Sequence, residues 1–92
     1  MAERRKKAAA LRYDREYEAA PRVVAQGQGP VAEKIVSTAK EANVPIVEDA
    51  ALVSALLMLE LGEEIPAELY QAVAKILSFL YTIDKGKEIR RR

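Results

Sequence analysis

Apolar and polar positions along the chain fall into a succession of short blocks. Residues 8–13 form a short apolar run and predict a strand, although three consecutive alanines favour helix intrinsically. Arg22-Val23-Val24-Ala25-Gln26 is β-branched, preceded by Pro21 and stopped by Gly27, and predicts a second strand. Gly27-Gln28-Gly29-Pro30 turns the chain, and Pro30 suits a first helical position. Over 31–42 the apolar residues Val31, Ala32, Ile35, Val36, Ala39 and Ala42 fall at helical spacing, with charged and hydroxyl residues opposite. Asn43 tolerates the left-handed conformation that ends a helix, and Pro45 disfavours helix at Val44. Residues 44–47 then predict a third strand. Strand, amphipathic helix and strand make a βαβ unit with parallel strands and a right-handed crossover.

Asp49 is a natural cap for a helix over 50–61, which is apolar nearly all round and so expected to be buried on more than one side. Gly62 stops it, and Pro66 opens a last helix over 66–83. There Glu68, Gln71, Lys75, Ser78 and Thr82 make one narrow polar stripe, while Leu69, Val73, Ile76, Leu80 and Ile83 lie opposite and face the core. A third stripe, Tyr70, Ala74, Leu77 and Tyr81, runs along one flank. The apolar arc of about 200° exceeds the ~100° of a simple surface helix. Something further must cover that flank: another part of this chain, or a partner. The expected fold is α/β, a small mixed β-sheet of three to four strands containing a βαβ unit, flanked by three to four helices. It is expected to fill residues 8–83, between a basic arm at 1–7 and a basic tail at 84–92.

With 92 residues, one core is all the chain can build, and a domain this small buries only about 60% of its unfolded surface. There is no cysteine, which removes disulfides and thiolate metal sites, and no histidine, the usual general base near neutral pH. Neither a metal nor another cofactor is expected, and an enzyme is disfavoured. No run approaches the roughly 18 apolar residues of a membrane span, and the basic start leads into no signal-peptide core, so a soluble cytoplasmic chain is expected. The net charge of +1 conceals a pattern. Arg4, Arg5, Lys6, Lys7, Arg12 and Arg15 outweigh Glu3 and Asp14 near the start, and Lys85, Lys87, Arg90, Arg91 and Arg92 outweigh Asp84 and Glu88 at the end. Between them the chain is acidic.

The basic ends are one route to nucleic acid, and a nucleic-acid-binding adaptor is the alternative reading. An acidic globule opposes a phosphate backbone, which favours solvated tails. The Gly27-Gln28-Gly29-Pro30 turn lacks the lysine and hydroxyl ending of a phosphate loop. Glu60, Glu63 and Glu64 lack the ordered oxygen ligands of a cation loop and read as a solvated turn.

Taken together, five islands carry a resemblance: Ala10-Leu11-Arg12-Tyr13-Asp14, then Ala20-Pro21-Arg22-Val23-Val24-Ala25-Gln26-Gly27, Val44-Pro45-Ile46-Val47-Glu48, Leu61-Gly62-Glu63-Glu64-Ile65-Pro66, and Leu69-Tyr70-Gln71-Ala72-Val73-Ala74. In this order and spacing the chain resembles the cytoplasmic domain of the FlhB/YscU/HrcU family, over about residues 8–83. That family ends a four-helix membrane segment with a domain that switches export from one substrate class to another. Its Asn-Pro-Thr-His loop, whose asparagine cyclises to cut the chain, corresponds here to Glu3-Arg4-Arg5-Lys6. With no asparagine, proline or histidine there, self-cleavage at this site is excluded. The chain resembles the short FlhB-like proteins that lack the membrane part and match the post-cleavage fragment alone.

The resemblance implies a non-catalytic binding and regulatory module of a flagellar-type (type III) export apparatus, cytoplasmic or peripheral to that apparatus. Its implied partners are export substrates, FlhA-type export-gate proteins or the membrane part of FlhB, with the chain a monomer or weak dimer. The implied binding surface has Ala20 and Pro21 as one wall and Ala74 and Leu77 as the other, with Tyr70 and Tyr81 supporting the rim. If the family sheet includes a strand from before the loop, the 8–13 strand sits at an open edge able to accept one.

Overall fold

The computed structural model describes residues 5–14 and 16–78. Strand β1 (Lys7–Arg12) and strand β2 (Arg22–Gln28) pair antiparallel, and helix α1 (Pro30–Glu41) follows at once. An irregular stretch leads to the short helix α2 (Ala50–Leu56). A 3₁₀ turn (Ala67–Leu69) then opens helix α3, described over 70–78. The expected α/β class holds, and the sheet is smaller and simpler than the pattern suggests. Among the described residues it has two strands rather than three to four, it is antiparallel rather than mixed, and no βαβ unit forms.

The hairpin reverses through a turn built on Asp14. Its carbonyl accepts from the N–H groups of Tyr17 and Glu18, and its carboxylate accepts from the Glu16 N–H. Arg12 stands directly opposite Arg22, a like-charge pair that would weaken the sheet alone. Glu18 answers it, reaching Arg12 at 2.8 Å and Arg22 at 3.6 Å, while Glu64 takes Arg22 at 3.1 Å.

The expected strand at 44–47 fails for a local reason. Helix α1 ends in a left-handed stop: Asn43 has φ 61°, its N–H donates to Lys40, and the Val44 N–H donates to Ala39. Val44 has thus spent its donor on the helix and Pro45 has none. The stretch forms no strand, and Val44, Ile46 and Val47 are exposed. Asp49 caps α2 as expected, accepting from the Leu52 N–H at 3.0 Å. That helix stops at Leu56, five residues before the expected end at 61. The Gln26 side chain donates to the Leu56 carbonyl. Expected burial on several sides is also incomplete: Leu52 and Leu56 are buried, but Met58 and Leu61 are exposed.

Each sheet face carries its own layer. On one face a Cβ at Gly27 would fall 2.2 Å from a Val31 methyl, so the start of α1 packs directly on the sheet there, with Ala8 of β1 and Ala32 of α1 both buried. On the other, Ala20, Leu52, Leu56, Ile65 and Val73 form the core cluster, with Ala9, Leu11, Leu69, Ile76 and Leu77 packed against it. The small face of β1 is therefore a fitting requirement, which explains why alanines occupy a strand against their intrinsic preference.

Gly27→Ala tests the close approach. It should lower unfolding free energy by about 1–3 kcal/mol, read by urea denaturation at unchanged m-value. Adding Val31→Ala should recover only part, because the Val31 Cβ itself lies 2.7 Å from the added carbon. Full recovery would mean the constraint is the methyl alone.

Candidate functional site

The flank of α3 is positioned by a backbone seam rather than by side chains. The Gly62 N–H donates to the Val23 carbonyl, the Val23 N–H to Glu63, and the Ile65 N–H to Pro21. These bonds stitch residues 62–65 to the start of β2, helped by the Arg22 guanidinium on the Gly62 carbonyl at 3.0 Å. Gly62 makes the turn possible at φ 88°. Ile65 is thereby sunk into the core, and α3 leaves the 3₁₀ turn with Val73 facing inward.

The predicted site residues separate under this arrangement. Ala20 is 2% exposed and Pro21 is also buried, so they lie beneath the surface and present no wall to a visitor. Leu77 is half-buried against the cluster that contains Ala20, and Ala74 is exposed. Tyr70 is 48% exposed at the head of the same flank. Tyr81, with Leu80, Thr82 and Ile83, falls outside the described residues. Ala74 floors a shallow depression whose other lining residues are Gln71, Lys75 and Ser78. An apolar patch with a polar rim is what a short amphipathic or apolar segment can use, with apolar area for affinity and polar groups for orientation.

One feature went unforeseen. Glu18 joins both arginines at the mouth of the hairpin, and this carboxylate fixes the loop that leads into Ala20 and Pro21. The hydrogen bond from Arg12 holds its pKa below the ordinary carboxylate range, with help from the Asp14 N–H. Next to it Tyr17 is 82% exposed, and Arg12, Tyr13, Asp14, Tyr17 and Glu18 line a second depression. The i, i+4 spacing of Glu18 and Arg22 was visible in the sequence, but the apposition of Arg12 and Arg22 required the register. Among the described residues there is no cluster of acidic groups able to hold a metal ion, and no helix long and apolar enough to cross a membrane.

The fold matches the crystal structure of the PscU C-terminal domain with a TM-score of 0.78 and 30% identity, over 82% of this chain and 96% of that one. The model of the FlhB HrpN YscU SpaS family matches residues 5–80. The chain belongs to that family and corresponds to its C-terminal domain. Among its relatives, YlqH of Bacillus subtilis (strain 168), itself described as uncharacterized, is 48% identical over 81 residues, which are 88% of this chain and 87% of that protein. The flagellar biosynthetic protein FlhB of Aquifex aeolicus (strain VF5) is 42% identical over 89% of this chain but 23% of its own length. That of Escherichia coli (strain K12) is 40% identical over 85% of this chain and 21% of its own. The chain thus spans most of YlqH and under a quarter of these FlhB proteins.

The lowered Glu18 pKa makes a signed prediction. A carboxylate whose folded pKa is depressed adds stability that is present above its unfolded pKa and lost as pH falls through the folded one. Glu18→Gln should therefore be less stable than the parent near neutral pH, with the gap closing as pH drops below the ordinary carboxylate range. Denaturation midpoints measured from pH 7 to pH 3 check it; a constant gap would show that the carboxylate's charge is immaterial.

Proposed function

We propose that the chain is a non-catalytic binding and regulatory module of a flagellar-type export apparatus, acting in the cytoplasm through the α3 flank. Membership of the FlhB HrpN YscU SpaS family supports the export setting. The observation that carries the surface is the exposure of Ala74 beside half-buried Leu77, with Tyr70 open at the same flank. An apolar residue of an export signal would rest on Ala74 and the outer edge of Leu77. Gln71, Lys75 and Ser78 would ring it, and buried Ala20 and Pro21 would set the depth of the floor. Ala74 is suited to this because a larger side chain would fill the depression. A catalytic role has little to work with: the chain contains neither histidine nor cysteine. The family's switch between substrate classes would then be a change in which export signal the flank retains.

The test is a titration of purified N-terminal segments of flagellar export substrates onto the chain. Ala74→Asp should weaken binding tenfold or more, since a carboxylate in the apolar contact costs at least about 1.4 kcal/mol. Being exposed, the same change should alter stability by no more than about 0.5 kcal/mol. Ala20→Asp should instead unfold the domain, because the side chain is buried. Unchanged binding by a folded Ala74→Asp protein would sink the reading.

A further inference from the structure

The polar rim of the α3 flank carries a charge that its surroundings do not explain. Between Lys40 and Lys85 the one basic residue is Lys75, in a stretch otherwise charged only by carboxylates. A lysine on a helix ordinarily gains from a carboxylate three or four places away. Those places hold Gln71, Ala72, Ser78 and Phe79, none of them acidic. The nearest carboxylates in sequence are Glu68, seven positions before, and Asp84, nine after. Among the described residues Lys75 makes no ion pair, and neither it nor Gln71 makes a side-chain hydrogen bond.

These unused donors share an edge. Gln71 and Lys75 stand one turn apart, both exposed, and both line the depression floored by Ala74. An ammonium donates and cannot accept, while a side-chain amide does both. A carboxylate, which only accepts, can take from the two together, and its bond to the ammonium is of the stronger, charge-assisted kind. A basic group would find a single acceptor, the Gln71 carbonyl, beside a like charge. Seven residues of helix set Glu68 about 10 Å from Lys75 along the axis, close to the screening length at 0.1 M salt. The charge at the depression is therefore positive, although the stretch that contains it is acidic.

We propose, building on docking at the α3 flank, that Lys75 with Gln71 makes this flank selective for segments bearing a carboxylate beside the apolar residue seated on Ala74. Ala74 supplies the contact and Lys75 the choice. Because the two are neighbours in sequence, the carboxylate lies within about 7 Å of the seated apolar group, which is two residues along an extended segment.

The probe is a set of three synthetic peptides, acetyl-Ser-Ser-Leu-Ser-Xaa-Ser-amide with aspartate, asparagine or lysine at Xaa. Each is titrated onto the full chain and followed through the amide resonances of residues 71–78. The aspartate peptide should bind about threefold more tightly than the asparagine one and about tenfold more tightly than the lysine one. In 1 M sodium chloride, where the screening length falls to about 3 Å, the order should vanish while the asparagine peptide does not weaken. Lys75→Gln should bring the three peptides to one affinity, Lys75→Glu should reverse their order, and Lys75→Arg should keep it. Ala74→Gln, which fills the depression without adding charge, should weaken all three alike. If the peptides bind equally well, or keep their order in Lys75→Gln, the selectivity is overturned and docking at the flank stands. If no peptide shifts these resonances, or Ala74→Gln leaves all three bound, docking itself falls and the selectivity falls with it.

Discussion

The three backbone bonds that tie residues 62–65 to Pro21 and Val23 are the constraint on which the rest of the molecule depends. They close one edge of a two-stranded sheet, which alone would be marginal in water. They sink Ile65 and set the angle at which α3 crosses the core, so that Val73 points in and Ala74 points out. The seam also explains why the sheet is asymmetric. What occupies β2 cannot occupy β1, and among the described residues the outer edge of β1, the strand whose side chains are small, has no backbone partner.

Charge serves this geometry. Arg12 and Arg22 would repel across the hairpin, yet each is needed elsewhere: Arg22 to hold Gly62 and Glu64 at the seam, Arg12 to engage Glu18. Glu18 resolves the conflict by bridging the two, and in doing so it orders the loop that buries Ala20 and Pro21. These pairs are largely exposed on the arginine side, so their worth lies more in fixing register than in bulk stability. Among the described residues no carboxylate pairs with Arg5 or Lys6 at the start of β1.

Much of this was legible in the chain itself. The Pro30 start and Asn43 stop of α1, the Asp49 cap and the hairpin strands follow from local chemistry, which reads residue by residue. The sheet did not. Residues 44–47 have a strand's composition, but a strand exists only with a ladder, and its partner is a property of the whole fold. The length of α2 was misread because apolar residues continue past Leu56, while the helix gives way there to tighter turns, with the Leu56 carbonyl taken by the Leu59 N–H and by the Gln26 side chain thirty positions away. The site was half legible. Spacing on α3 separated Val73 from Ala74 correctly, but the burial of Ala20 and Pro21 depends on the seam, which no periodicity announces.

A small domain with little core has few ways to bind other proteins without exposing itself to its own kind. Among the described residues the α3 flank has Ala74 exposed, Leu77 half-buried against the core cluster and Tyr70 open at its head. Because Val73, one position earlier, is buried, the apolar area left on that flank is limited by the same packing that holds the helix in place. Any contact made at Ala74 is framed by Gln71, Lys75 and Ser78, so polar groups would orient what the small apolar area holds.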